Sequence, residues 1–389
     1  MQLADRMRTL GTETAFEVLA RARALEAKGR QIIHLEIGEP DFDTPGNITQ
    51  AGIEALKQGY THYGPAAGLP ELREAIAARI ERTRRLPIDP ARIVVTPGAK
   101  PIMFFTILAV VNPGDEVIYP DPGFPIYESM VGFAGGVKRP IPLREERGFR
   151  LDVNELADLV NERTRLIILN SPHNPTGSVL TRADVAAIAD VVGDSQVLVL
   201  SDEIYSEIMY GSEHVSIASF PGMLDRTILL DGFSKTYAMT GWRLGYGVFP
   251  EWLAPFVAKL QVNATSCTAS FTQRAGVEAL TGPQDGAQAM LAEFRRRRDV
   301  IVRGLNEIPG VSCLTPEGAF YVFPNIKRTG KSSQEVADLL LHEGGVGSLP
   351  GTSFGAGGQG YLRFSYANSV ENIRMALERM AETLSAIRT

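Results

Sequence analysis

Residues 231–246, DGFSKTYAMTGWRLGY, follow directly after the apolar run 227–230 and place Lys235 just beyond a predicted β-strand. In open α/β sheets, ligands bind in the crevice outside the carboxyl ends of the strands. A lysine in that crevice can lose its hydration, which lowers its pKa and makes the amine available as a nucleophile or base. Most lysines are solvated surface residues, so the meaning of Lys235 depends on its surroundings.

Two further polar loops follow apolar strands upstream of Lys235. The sequence SDEIY, residues 201–205, places Asp202 directly after the apolar run 197–200, and NSPHNPTG, residues 170–177, follows another such run. Taken singly, Asp202 could be a helix cap and the second loop an ordinary turn. Because the carboxyl ends of parallel strands meet at one edge of a sheet, however, the three loops together predict one convergent polar site.

The segments around these loops alternate between helical and β-rich patterns. The predicted helices cover residues 48–58, 69–84, 100–110, 126–133, 153–161 and 182–192, and the predicted strands cover 93–96, 116–119, 166–170, 197–201, 227–231 and 244–249. Alternation at this spacing predicts an α/β fold with a mainly parallel, doubly wound sheet.

The pattern changes after Pro250. Three helical stretches are followed by short predicted strands at 319–323 and 361–367 and by a terminal helix at 370–387. A first helix at 13–28 and a short strand at 32–37 precede the alternating region. We therefore predict a large domain over residues 46–285 and a second, smaller α+β domain formed by residues 1–45 and 286–389.

Charge and composition exclude several classes of protein. The 389 residues carry 39 Lys and Arg against 45 Asp and Glu, a net charge of −6, so a nucleic-acid partner is not expected. The basic run Arg295–Arg298 lies in a helical pattern and is predicted to be a solvated helix face. Two distant cysteines, no signal-like segment and no long apolar run predict a cytoplasmic protein without a membrane partner, and the histidines show no metal-ligand spacing.

The motifs SDEIY (201–205), SKTYAMTGWR (234–243) and NPTG (174–177), in this order and spacing, resemble the aminotransferase class I/II family of fold type I pyridoxal-phosphate enzymes. The resemblance extends from IGEPDF at 37–42 to LRFS at 362–365. It implies a pyridoxal-5′-phosphate-dependent aminotransferase that moves an amino group between an L-amino acid and a 2-oxo acid by a ping-pong Schiff-base mechanism. A carbon–sulfur β-lyase on the same fold is the alternative.

The resemblance also implies roles for the residues that match the family's motifs. Lys235 would form the Schiff base with the cofactor aldehyde and then shuttle the substrate proton. Asp202 would pair with the pyridine nitrogen and keep it protonated. Tyr205 and Asn174 would hydrogen-bond to the phenolic oxygen of the cofactor.

The cofactor phosphate is expected at the loop before the helix at 100–110, where unpaired amides and the helix dipole favour an anion. In the family this group is bound by the loop amides, a hydroxyl and a guanidinium, here Gly98, Ala99, Lys100, Ser234 and Arg243. Tyr63 matches a tyrosine that the neighbouring subunit contributes to the phosphate. The resemblance therefore implies a homodimer with shared active sites.

Three residues match family positions around the ring and the substrate. Phe124 would stack on the cofactor ring, although a packing role in the core is the competing interpretation. Arg363 would bind the substrate α-carboxylate with its planar guanidinium, and Gly38 would approach the same group through its backbone. Lys100 could read a distal carboxylate or lie at a solvated helix start, so aspartate, alanine and aromatic amino acids all stay open as substrates.

Overall fold

The computed structural model describes residues 3–193, 195–211 and 213–386. Its strands, in chain order, are β1 (Ile33–His34), β2 (Ile93–Thr96), β3 (Glu116–Asp121), β4 (Val137–Pro142), β5 (Thr164–Asn170), β6 (Leu198–Asp202), β7 (Thr227–Gly232), β8 (Gly245–Val248), β9 (Tyr321–Val322), β10 (Val346–Gly347), β11 (Leu349–Pro350) and β12 (Leu362–Ser365).

The helices are α1 (Thr14–Glu26), α2 (Gly46–Lys57), α3 (Pro70–Arg84), α4 (Lys100–Val110), α5 (Pro125–Phe133), α6 (Val153–Leu159), α7 (Arg182–Val192), α8 (Ala254–Thr265), α9 (Ser270–Thr281), α10 (Asp285–Glu307), α11 (Ser333–Leu339) and α12 (Val370–Ala386). The predicted helices of the alternating region are all present, within three residues at each end.

Seven strands form one sheet in the order β2-β8-β7-β6-β5-β3-β4. The strand β8 runs antiparallel to both of its neighbours, β2 and β7, and every other pair in this sheet is parallel. The predicted mainly parallel, doubly wound sheet is therefore confirmed. The carboxyl ends of β5, β6 and β7 lie side by side, as the three polar loops required.

Helices cover the central strands of this sheet on both faces. Alternate residues of β5 illustrate the division: Ile168 packs in a cluster with Ile102 of α4, whereas Ile167 packs in a cluster with Ile188 of α7. Burial on both faces explains why β5 is an almost continuous apolar run rather than an alternating pattern. The sheet is consequently a rigid base for the loops at its carboxyl edge.

Two small sheets lie outside the seven-stranded one. The strand β1 pairs in parallel with β10, and β12 pairs antiparallel with both β11 and β9. These strands pack with α10 and α12, and α1 contacts β10 and β11. All strands of the two small sheets fall within residues 1–45 and 286–389, the region predicted as the smaller domain.

The strand β4 is absent from the sequence-based prediction. It forms the edge of the large sheet beside β3, and most of its residues are exposed or half-buried. Its sequence, VKRPIP, contains two prolines and two cations, which argue against a strand unless it lies at a sheet edge. The missing apolar alternation is therefore a consequence of its edge position.

The prediction that Arg295–Arg298 is a solvated helix face is wrong for Arg297. This residue is buried on α10, and its guanidinium lies 2.6 Å from Asp41 and 2.9 Å from Glu293. It also lies 4.7 Å from the centre of the Phe42 ring. Arg297 thus connects α10 to the segment that precedes α2, which a pattern confined to α10 could not indicate.

Cys267 and Cys313 are both free thiols, and Cys313 is buried in a hydrophobic cluster with residues of α10 and α12. In the described ranges, no helix combines the length and the apolar character needed to cross a bilayer.

Candidate active site

A cleft of about 540 Å³ opens at the carboxyl ends of β5, β6 and β7, between the large sheet and the small sheets. Eleven of the thirteen predicted site residues line it: Gly38, Ala99, Lys100, Phe124, Asn174, Asp202, Tyr205, Ser234, Lys235, Arg243 and Arg363. Gly98 is not among the lining residues, but it lies next to the guanidinium of Arg243, which is. Tyr63 does not line the cleft of its own chain.

Lys235 follows β7, and its amine is hydrogen-bonded to a residue on the other side of the cleft. Its Nζ donates a hydrogen bond of 2.6 Å to the carbonyl oxygen of Gly38 and lies 5.8 Å from the centre of the Phe320 ring. Burial lowers the pKa of Lys235 to about 8. A far larger share of this amine is therefore uncharged near neutral pH than in a surface lysine, as a nucleophile or base requires.

Asp202, the last residue of β6, is a buried carboxylate with two hydrogen-bond donors. The Tyr127 hydroxyl donates to Oδ2 at 2.6 Å, and the amide of Ile204 donates to Oδ1 at 3.2 Å. Burial raises the pKa of Asp202 to about 6. Because this value still lies below neutral pH, the carboxylate is mostly ionised there, and its burial strengthens its attraction for a nearby cation.

Tyr127 was missed in the sequence, although a signal was present. It lies three residues after Phe124, so both face the same side at the start of α5, and their ring centres are 5.6 Å apart. The Phe124 ring lines the cleft while the Tyr127 hydroxyl orients Asp202. The start of α5 therefore supplies an aromatic ring that lines the cleft and a hydroxyl that holds the Asp202 carboxylate.

A buried ion-pair network lies behind Asp202 and Lys235. Arg84, the last residue of α3, donates to Glu203 at 2.7 Å through Nε and to Asp231 at 2.5 Å through Nη2. Glu203 directly follows Asp202, and Asp231 lies on β7, four residues before Lys235. Arg84 thereby fastens the ends of the two strands that carry the carboxylate and the amine.

Arg363, on β12, is a buried cation at the opposite side of the cleft. Its Nη1 donates to the side-chain oxygen of Asn174 at 3.1 Å, and its Nη2 donates to the carbonyl of Glu36 at 2.6 Å. Its Nε has no hydrogen-bond partner among the described residues. A buried donor of this kind is costly unless a ligand accepts from it, so the geometry favours an anion here.

Two tyrosines shape the floor beside Arg363. The hydroxyls of Tyr205 and Tyr321 are 2.7 Å apart, and burial raises the pKa of both, so both stay protonated at neutral pH. A Cβ at position 38 would lie 2.2 Å from the Tyr321 hydroxyl, which leaves room only for Gly38. Tyr321 lies on the two-residue strand β9, and no motif in the sequence marked it.

The loop before α4 forms a cradle for an anion. Gly98 has φ +82°, and a Cβ there would lie 2.2 Å from the guanidinium of Arg243. The Arg243 Nη1 donates to the carbonyl of Thr240 at 2.8 Å, which holds the guanidinium against this loop. Free amides at the start of the helix, its dipole and the guanidinium together suit a phosphate.

Tyr63 and Lys100 differ from the other predicted site residues in what surrounds their side chains. Tyr63 is 89% exposed on the segment between α2 and α3, so it makes no contribution to the cleft of its own chain. The Lys100 side chain forms an ion pair with Glu13, which also lines the cleft. Sequence spacing did not indicate this pairing, because the two residues are 87 positions apart.

Comparisons with known proteins agree with this geometry. Residues 30–380 match the family model described as aminotransferase class I and II. The chain is 44% identical to aspartate aminotransferase of Pyrococcus abyssi, covering 91% of this chain and 92% of that one. It is 40% identical to aromatic-amino-acid aminotransferase 2 of Thermococcus litoralis, covering 99% and 98%.

A solved structure, aspartate aminotransferase from Thermus thermophilus with maleate, superposes with a TM-score of 0.94 at 37% identity and covers 98% of this chain and 100% of that one. These relatives are all named as aminotransferases, which favours transamination over the β-lyase alternative. The chain therefore belongs to the aminotransferase class I and II family, and it is a pyridoxal-phosphate-dependent enzyme of fold type I that transfers amino groups between amino acids and 2-oxo acids.

Proposed function

We propose that Lys235, Asp202 and Arg363 carry the amino transfer in this chain. The observation that supports the proposal best is that one cleft holds a buried amine with a lowered pKa, a buried carboxylate and a buried guanidinium with an unsatisfied donor. These three groups supply a base, a counter-charge and an anion clamp, which is the minimum that the reaction needs from the protein.

The residues of the cleft fit pyridoxal phosphate at each polar end of that molecule. The cradle of Gly98, Ala99 and the Lys100 amide, with Ser234 and Arg243, would hold the phosphate. Phe124 would cover one face of the ring. When bound, the cofactor supplies an electrophilic aldehyde carbon and a ring that withdraws electrons from the substrate Cα.

Lys235 is the group that moves the substrate proton. Its uncharged amine removes the proton from Cα of the amino acid and returns it on the cofactor side of the bond, and the reverse order serves the 2-oxo acid. The pKa of about 8 suits both directions, because the amine can accept and release a proton near neutral pH. The same amine would hold the cofactor through its aldehyde carbon between turnovers.

Asp202 would hold a proton at the ring nitrogen of the cofactor, and the hydrogen bond from Tyr127 fixes the carboxylate in place. Tyr205 and Asn174 would donate hydrogen bonds to the phenolic oxygen. Both side chains also contact the region that binds the substrate, since Tyr205 pairs with Tyr321 and Asn174 accepts from Arg363. The same residues therefore link cofactor orientation to substrate binding.

Arg363 binds the α-carboxylate that every substrate shares. Its planar guanidinium accommodates two carboxylate oxygens at once, and the aromatic rings of Tyr321 and Phe354 hold it at 4.5 and 5.0 Å. The backbone of Gly38 closes the site beside it. Binding of the α-carboxylate by Arg363 would place the substrate Cα next to the Lys235 amine. The bound substrate is then already positioned for proton transfer.

Single-turnover chemistry tests the proposed mode of action. The holoenzyme mixed with one amino acid and no acceptor should form about one 2-oxo acid per active site and then stop until a 2-oxo acid is added. Glutamate, aspartate, alanine and phenylalanine are the donors to compare, with product measured by chromatography. An S-substituted cysteine serves as the probe for the lyase alternative: its continuous conversion to thiol, ammonia and 2-oxo acid without an acceptor would indicate β-elimination instead.

We also propose that the active enzyme is a homodimer in which Tyr63 reaches the phosphate site of the partner subunit. The support is that Tyr63 is a large aromatic residue left 89% exposed and outside the cleft of its own chain. An exposed tyrosine can offer both an apolar ring and a hydroxyl to a second surface, which is why this residue type is enriched at interfaces. The two sites of a two-fold dimer would then each depend on both chains.

Subunit complementation tests this arrangement. Tyr63→Ala and Lys235→Ala chains, each inactive or impaired alone, should regain roughly a quarter of wild-type activity when unfolded and refolded together in equal amounts. The mixed dimer contains one site with both intact residues only if Tyr63 acts across the boundary. No recovery beyond the sum of the two parents, with mixed dimers shown by native mass spectrometry, would contradict the shared site.

We also propose a division of the chain into two domains and a cytoplasmic location. The division into a domain of residues 46–285 and a domain of residues 1–45 and 286–389 is supported by the separation of the strands into the large and small sheets. The cytoplasmic location is supported by two free cysteines, which a reducing compartment keeps unpaired.

A further inference from the structure

Glu13 and Lys100 form an ion pair within the cleft. Glu13 precedes α1 at the N-cap position, yet its side chain makes no capping hydrogen bond. Its carboxylate instead contacts the Lys100 ammonium at the start of α4. The carboxylate is therefore available to the cleft rather than committed to its own helix.

The pair lies where it can act on the substrate side chain. Both residues line the same cleft as Lys235 and Arg363. The charge of Glu13 raises the pKa of Lys235 and that of Lys100 lowers it, beside the larger effect of burial, so both act on the amine. Since Arg363 is assigned to the α-carboxylate, Lys100 is the cation left for a second acidic group.

Apolar side chains surround the pair. Phe16, Met103 and Phe124 line the same part of the chain's cleft, and the Lys100 Nζ lies 5.6 Å from the centre of the Phe124 ring. When an uncharged side chain packs here, Lys100 keeps Glu13 as its partner, so the ammonium is not left without an acceptor.

The pair is also weak enough to be exchanged. The side chains of Lys100 and Glu13 are 50% and 20% exposed. Ion pairs with this much solvent contact contribute little to stability, because water screens them. A carboxylate brought in by a substrate can therefore replace that of Glu13 at small cost.

We propose that Glu13 sets the substrate range of this enzyme by competing with the substrate for Lys100, an inference that rests on the proposed function of the cleft. With an aromatic or aliphatic substrate, Glu13 stays paired with Lys100 and offsets its charge. With aspartate or glutamate, the distal carboxylate of the substrate displaces Glu13. One cleft thereby accepts both dicarboxylic and uncharged amino acids, and Glu13 lowers the preference for the dicarboxylic ones.

The test compares kcat/KM of the holoenzyme for glutamate, aspartate and phenylalanine, each divided by the value for alanine. Glu13→Gln should raise the ratios for glutamate and aspartate about fivefold, because the competitor for Lys100 is gone. Lys100→Gln should lower the same two ratios by about tenfold or more. The ratio for phenylalanine should rise or fall by less than about twofold in Glu13→Gln.

The double variant separates competition from independent effects. In the Lys100→Gln background, Glu13→Gln should no longer raise the ratios for glutamate and aspartate, because there is no ammonium to release. The matched control is Glu17→Gln, an exposed glutamate one turn further along α1 that does not line the cleft. It should leave all three ratios unchanged.

Each result has a distinct meaning. Unchanged or lowered ratios for glutamate and aspartate in Glu13→Gln, or an equal rise in the double variant, would overturn competition by Glu13. Those outcomes leave the proposed function intact as long as the wild type converts alanine. Failure of the wild type to transfer an amino group from any of the four amino acids would contradict the proposed function itself.

Discussion

Lys235→Ala should lower kcat by at least about 10⁴-fold with every amino donor, because the variant loses both the proton-transfer group and the amine that reacts with the cofactor. The cleft should still bind pyridoxal phosphate through the loop before α4 and Arg243, since these contacts do not involve Lys235. Turnover is measured by 2-oxo acid formation and cofactor retention by phosphate content after gel filtration.

Lys57→Ala is the matched control for Lys235→Ala. Lys57 ends α2 as an exposed residue paired with Glu54, far from the cleft lining. It should retain wild-type rates. Substantial turnover by purified Lys235→Ala, above the level explained by contamination, would mean that another residue moves the proton.

Asp202→Asn should lower kcat/KM by about 10³-fold, the second largest effect expected of a single substitution in the cleft. Asparagine has the same shape as aspartate but no charge, so it cannot hold a proton at the ring nitrogen. The fold should be retained because the amide oxygen of the introduced asparagine can still accept from Tyr127. The measurement is steady-state kinetics, with circular dichroism to confirm folding.

Asp225→Asn is the control for Asp202→Asn, since the Asp225 side chain is 72% exposed and pairs only with Arg92 among the described residues. It should change kcat/KM by less than about twofold. Near-normal rates in Asp202→Asn would show that Asp202 is only a structural anchor for Tyr127 and the segment that follows β6.

The strands and helices of the large sheet were predictable because their residues are buried in repeating patterns. The run 166–169 is apolar on both faces, and β5 is an interior strand of the sheet, between β6 and β3. The edge strand β4 lacked that signal because one side of it faces solvent. The strand predicted over residues 32–37 covers only Ile33–His34 in the structure, because it pairs with the two-residue strand β10.

The cleft was predictable to the extent that its residues belong to loops at one edge of the sheet. Lys235, Asp202 and Asn174 each follow a buried strand, so sheet topology alone brings them together. Arg363 comes from a different sheet, and only the family resemblance assigned it. Its orphaned Nε is a feature that no sequence pattern contains.

The residues that were missed act through contacts between distant parts of the chain. Arg84 meets Glu203 and Asp231 across 119 and 147 positions, and the pairing depends on where α3 ends against the sheet. Tyr321 enters the cleft from outside the alternating region. Spacing along the sequence carries no information about such contacts, because they form only when distant elements pack together in the fold.

The central claim is that the Lys235 amine is the one that bonds to the cofactor, and chemical reduction tests it most directly. The holoenzyme is treated with borohydride, digested, and mapped by mass spectrometry for a pyridoxyl group on lysine. We expect one modified peptide, which contains Lys235, and no such peptide from Lys235→Ala. A pyridoxyl group on another lysine, such as Lys100 in the same cleft, would contradict it.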